Sequence, residues 1–180
     1  IFNDNVKLHK IDLGYAGTAY INDATGDVTV ESYKFDYNGF NSNTVLSMLM
    51  GSKVKQTDNF NGKIAFNFDE TLKLNDDING KKAYCQNFSD GSSAYFVNTS
   101  GNNYTNYITD EKYEIYTKDE SLILKKVPDE DGYSEIKEFE SKNGILKKYT
   151  SKNSSNDAVY TSLNYKNDDS ILSSITDETN

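Results

Sequence analysis

Histidine, cysteine and proline each occur once in the 180 residues, as His9, Cys85 and Pro128, and tryptophan does not occur. One cysteine leaves no intrachain disulfide. A Ser-His-Asp or Cys-His arrangement would have to run through His9, which sits on an alternating strand pattern with its side chain outward. Cys85 lies among apolar neighbours, where a thiol behaves as a small inert hydrophobe. A zinc site needs three or four His/Cys ligands, and two residues of those types are too few. No apolar run is long enough to cross a bilayer as a helix, so the chain reads as not membrane-spanning. It opens on Ile1 with no signal peptide, as a trimmed mature region would.

Charge is unbalanced. Nineteen basic residues face 28 acidic ones, a net −9. Such a surface repels phosphate backbones and anionic headgroups, which excludes nucleic acid as a partner. Hydrophobic residues make up only 36%, but 14 Tyr and 9 Phe supply large areas for burial. The length fits a single β-rich domain, 1–180, with a polar C-terminal tail from about residue 166. Abundant Asn, Lys, Asp, Ser and Tyr fit an extracytoplasmic bacterial protein, secreted or at the cell surface.

The strand signal is densest from Asn79 to Val127. Strand-like runs at Lys81–Phe88, Ser93–Asn98, Tyr104–Thr109, Lys112–Tyr116 and Leu122–Val127 are separated by short turn-rich pieces, the mark of an antiparallel meander. Upstream, Asp4–Leu13, Thr18–Ile21, Val28–Tyr37 and Lys63–Phe68 read as strands. The apolar phase slips within Asp4–Leu13 and Val28–Tyr37, which predicts bulges. Downstream, Tyr133–Glu140 and Ile145–Thr150 flank the hairpin signal Lys142-Asn143-Gly144, and their charge suits a solvated outer part of the sheet. Ala158–Tyr165 alternates well, and Ile171, Leu172 and Ile175 offer some order to the tail. Asn43–Met50 is the best helix candidate: Val45, Leu46, Leu49 and Met50 form one apolar face and Gly51 supplies a left-handed stop.

The fold expected is mainly β: a curled antiparallel, half-barrel-like meander with one short helix covering a face. Several central strands carry apolar residues on both faces, as Ala83 and Cys85 against Tyr84 and Phe88. Both faces of such a sheet need cover. The Asn43–Met50 helix, the curl of the sheet itself or a bound apolar ligand would each provide it.

Candidate sites follow. An apolar pocket for a small molecule or a lipid acyl chain would draw on Leu46, Leu49, Met50, Phe66, Tyr84, Phe96 and Leu124. A glycan- or protein-binding surface would instead use Tyr104, Tyr107 and Tyr113 as stacking platforms amid their asparagines. Asn75-Asp76-Asp77-Ile78-Asn79-Gly80 opens like a calcium loop, but its twelfth position is Gln86 where a bidentate Glu is required, so it reads as a turn. A glycosidase would need paired carboxylates with one pKa raised by an apolar setting. Glu114, between Tyr113 and Ile115, comes nearest and reads as an outward strand residue. No catalytic residue, metal or cofactor is expected, and the oligomeric state is left open.

The run Asn79-Gly80-Lys81-Lys82-Ala83-Tyr84-Cys85, followed by Glu114-Ile115-Tyr116-Thr117-Lys118-Asp119-Glu120-Ser121-Leu122-Ile123-Leu124-Lys125-Lys126, resembles the strand pair of lipoprotein-carrier-like (LolA/LppX-like) domains of bacterial envelopes. The resemblance spans Asn79 to Tyr165. It implies a curled antiparallel half-barrel whose concave face is covered by helices and holds acyl chains, with no catalytic residues. The long helix of that pattern has no counterpart here, which leaves Asn43–Met50 as the only evident plug.

Overall fold

A computed structural model describes residues 8–36, 45–51, 53–54, 63–130, 132–152, 158–165 and 171–179. The chain divides into two compact units: residues up to Asp69 together with Phe88–Ser92, and Glu70–Asn87 together with Ser93 onward. Both are built on antiparallel sheets whose strands follow one another in chain order.

The first unit carries β1 (Leu8–Asp12), β2 (Thr18–Asn22), β3 (Val28–Asp36), β4 (Val45–Gly51) and β5 (Ile64–Phe66), with a 3-10 turn at Gly14–Ala16. The phase slip read in Val28–Tyr37 is a register shift between Ser32 and Phe35. The expected helix at Asn43–Met50 is a strand instead. β4 lies between β3 and β5 and pairs with both, so two ladders of backbone hydrogen bonds outweigh the few that an isolated helix of this length could make. Its buried residues, Ser47 and Leu49, alternate as a strand requires. Leu49 packs in a small core with Val54 and Ala65, the last two fully enclosed. Lys53 and Val54 form a turn and bend.

The second unit is one ten-stranded sheet: β6 (Thr71–Ile78), β7 (Lys81–Asn87), β8 (Ser93–Ser100), β9 (Asn103–Asn106), β10 (Lys112–Lys118), β11 (Ser121–Lys126), β12 (Ser134–Glu140), β13 (Leu146–Lys152), β14 (Ala158–Tyr165) and β15 (Leu172–Thr179). Turn chemistry explains its punctuation. Asn79 and Gly80 both have positive φ, 53° and 74°, as the tight turn closing β6 and β7 demands. β9 stops at Asn106 because that side chain accepts the Ile108 and Thr109 amides, an Asx turn that takes over where Tyr104–Thr109 reads as strand. The polar tail supplies β15, which is held along its length by β14 and is the last strand in the order of the sheet.

Cross-strand pairs assign the faces. Tyr84↔Phe96, Tyr104↔Tyr113, Ile115↔Leu124, Leu124↔Lys137 and Lys137↔Tyr149 place these residues on one side. That side holds the core: Leu72, Phe96, Ile115, Leu124, Phe139, Leu146 and Leu163 are all at most 4% exposed. Glu70, just before β6, reaches Lys137 of β12 with Oε2 and Nζ 2.6 Å apart. In a flat sheet six strand steps at ~4.8 Å would separate those strands by about 29 Å. The sheet therefore curls with the core face inward. At the seam Leu72 N–H donates to the Gly144 carbonyl (2.9 Å) and Leu146 N–H to that of Glu70 (3.1 Å), flanking the bridge Thr71↔Ile145. Eight strands, β6 to β13, wrap almost into a barrel, a size whose interior side chains can fill. β14 and β15 continue past the seam.

Curling also reassigns Tyr133–Glu140 and Ile145–Thr150. They are interior strands, not a solvated outer part: Phe139 and Leu146 are fully buried.

Candidate functional site

Inside the curl the polar groups form two networks. Glu70 Oε2 accepts from Lys137 Nζ and from Gln86 Nε2 (2.7 Å), and Lys137 Nζ lies 6.0 Å from the Tyr149 ring. Tyr149 and Tyr133 hydroxyls donate to Glu135 Oε1 at 2.9 and 3.0 Å, and Ser151 donates to the Tyr133 hydroxyl. Burial, then the Glu135 charge, raises the Tyr149 phenol far above the ordinary tyrosine value. Further along, Glu111 is shared by Lys126 Nζ (2.6 Å), Thr109 Oγ1 (3.1 Å) and the Tyr113 hydroxyl (3.2 Å). The hydrogen bond from Lys126 holds the Glu111 carboxyl below its usual value, while burial and then Glu111 push the Tyr113 phenol up.

The expected pocket residues are not drawn together into one described cavity. Leu49, Met50 and Phe66 belong to the first unit, with Leu49 buried and the other two half-buried. Leu46 lies on β4, and its side chain falls outside the described residues. Tyr84, Phe96 and Leu124 belong to the second unit, where Phe96 and Leu124 are core side chains. Tyr84 meets Tyr104 edge-on at 5.5 Å, and Phe96 meets Tyr113 at 4.7 Å, so these rings bind one another across the sheet. Among the three stacking candidates Tyr104 is 3% exposed, Tyr113 is half-buried and Tyr107 stands open at 59%. They do not make one open face.

His9 is outward, as its strand pattern predicts, and Nδ1 lies 2.6 Å from Asp23 Oδ1; that hydrogen bond raises its pKa. Glu114 points outward into an ion pair with Lys125 at 2.9 Å. Among the described residues no three His, Cys, Asp or Glu side chains are grouped as metal ligands. No helix among them is long and apolar enough to cross a membrane.

A concavity lies elsewhere, on the outer face of β12–β14. The cross-strand row Glu138↔Lys148↔Ser162 forms its middle. Register shifts between Glu138 and Phe139 and between Asn164 and Tyr165 bend the strands around it. The resulting groove has a volume of about 590 Å³. Three glutamates (120, 138, 140) and three lysines (142, 147, 148) line it with Asn143, Ser162, Asn164, Tyr165 and Ile145, and the buried Leu163 borders it. Glu140 is ion-paired with Lys147, and the Tyr165 hydroxyl donates to the Leu146 carbonyl (2.7 Å). None of the seven pocket candidates or three tyrosines touches it. Lys142-Asn143-Gly144 signals only the hairpin; the groove depends on two bulges whose positions no local pattern marks. Comparison with protein families, curated proteins and solved structures returned no match for this chain.

Proposed function

We propose that this is a non-enzymatic domain of an extracytoplasmic bacterial protein, secreted or of lipoprotein type, that binds a glycan in the β12–β14 groove. The supporting observation is the groove's lining, where acids and lysines balance in number and amide and hydroxyl groups fill the gaps. Carboxylates, amides and a tyrosine offer hydrogen bonds to sugar hydroxyls, and the half-buried Ile145 offers apolar contact to the weakly polar face of a pyranose. An acyl chain finds less there, since its entry would strip water from six charged side chains with nothing to replace it. The acyl-carrier reading implied by the lipoprotein-carrier resemblance rests on side chains divided between two units.

Native mass spectrometry of protein purified from its own host tests the reading. A co-purifying carbohydrate that Glu138→Ala and Tyr165→Ala both release would support it. A co-purifying acyl lipid, or a carbohydrate that both variants retain, would overturn it.

A further inference from the structure

Glu70, Gln86 and Lys137 meet inside the curled sheet from three separate stretches of chain. Glu70 and Gln86 are each 3% exposed, and the Lys137 side chain is 14% exposed. A single carboxylate oxygen, Glu70 Oε2, receives both Lys137 Nζ (2.6 Å) and Gln86 Nε2 (2.7 Å). An amine nucleophile, a carboxamide and a proton acceptor are thus held side by side. Apolar side chains pack beside them, with Leu124 across from Lys137, Leu72 across from Gln86 and Phe139 following Lys137 on the same face, while Tyr149 lies across from Lys137 on its other side. Water, the competing nucleophile, is largely kept out, and fixed proximity replaces a bimolecular encounter.

We propose that this cluster is a self-modifying site, which joins Lys137 to Gln86 through an amide with Glu70 as proton carrier. Nζ passes a proton to Oε2, which leaves a neutral amine beside a neutral acid. The freed lone pair attacks Cδ of Gln86. As the tetrahedral adduct collapses, Nζ loses a second proton and the Cδ–Nε2 bond breaks. Both protons end on the departing nitrogen, which leaves as ammonium, and Glu70 returns to carboxylate. No oxidant, metal or external reactant enters. The bond would tie β7 to β12 beside the seam and so restrict the sheet's uncurling, much as a disulfide constrains an unfolded chain. A chain with one cysteine has no disulfide route to that end.

Intact-mass measurement of the full chain, followed by peptide mapping, decides the matter. The expected result is a mass lower than the sequence mass by one ammonia, with the peptides carrying Gln86 and Lys137 recovered as one branched species. Glu70→Gln, which removes the proton acceptor, should restore the full mass and the separate peptides. Three results on the unsubstituted chain would overturn the proposal, whether or not the variant folds: separate peptides at full mass; loss of water with Lys137 joined to Glu70; or loss of ammonia with the two peptides still separate, as a succinimide at Asn79-Gly80 would give. A Glu70→Gln chain cross-linked to the same extent would also overturn it.

Discussion

Two phenols in the curled sheet, Tyr113 and Tyr149, are held in their neutral forms by burial and by the carboxylates of Glu111 and Glu135. A raised folded-state pKa means that the folded protein keeps a proton the unfolded chain releases near pH 10. Their contribution to stability is therefore complete below about pH 10 and declines as the pH rises above it. Alkaline titration followed by phenolate absorbance should show two tyrosines that ionise only as the fold is lost. Core side chains obey a simpler rule. Phe139 is fully enclosed, so Phe139→Ala should lower the unfolding free energy by about 3–5 kcal/mol. Leu74, 61% exposed, should change it by less than about 0.5 kcal/mol when cut back to alanine. Urea denaturation of the two variants checks the contrast.

At the scale of elements, the turns carry the strongest constraint. Gly144 has φ +76°, and a Cβ there would stand 2.5 Å from the Leu72 carbonyl oxygen, across the seam. Gly101 has φ +54° but open space around it. Gly101→Ala should cost only the left-handed strain, about 1–2 kcal/mol. Gly144→Ala should cost about 3 kcal/mol or more, because the clash also breaks seam hydrogen bonds worth ~1 kcal/mol each. Denaturant midpoints of the two variants give the comparison. Strand positions are legible in the sequence where alternation and turn residues coincide: Ala158–Tyr165 is a strand over those same residues, and Lys81–Phe88 differs from β7 by one. The reading fails at Val45–Gly51 for a physical reason. Val45, Leu46, Leu49 and Met50 suit a helical stripe, but β3 pairs with that segment from Val45 to Gly51 and β5 from Met48 to Met50, and pairing overrides a short local pattern.

For the whole molecule, the curl decides which residues count as interior, and it is the feature least visible along the chain. Glu70 lies 67 residues from Lys137, so nothing local marks either as buried, and the charges of Ser134–Glu140 point to solvent until the seam closes. The same holds for the groove: Glu138 and Lys148 look like ordinary surface charges until two bulges bend the strands beneath them. Tyr84 and Phe96, read as pocket residues, and Tyr104 and Tyr113, read as a stacking surface, instead pack on one another as one cross-strand cluster. In hydrogen exchange the amides of β10–β12 should be the slowest of the ten-stranded sheet. Those of β15 should be the fastest, because it is the terminal strand in the order of the sheet and Ser173, Ser174 and Thr176 on it are exposed. The Leu72 amide, on the opposite edge strand, should nonetheless exchange slowly because it donates across the seam.

Closure of that seam is the claim on which the interior network and the buried core both depend. Thr71 and Ile145 form its bridge and face each other as a pair whose own amides bond elsewhere, an arrangement that brings Cα atoms to ~4.5 Å. That spacing accepts a disulfide. Thr71→Cys with Ile145→Cys, in a Cys85→Ala background, should therefore oxidise to an intramolecular disulfide in the native monomer and raise the unfolding free energy by about 4 kcal/mol. Free thiols that persist in the oxidised native protein, or that link only between molecules, would contradict the curled sheet.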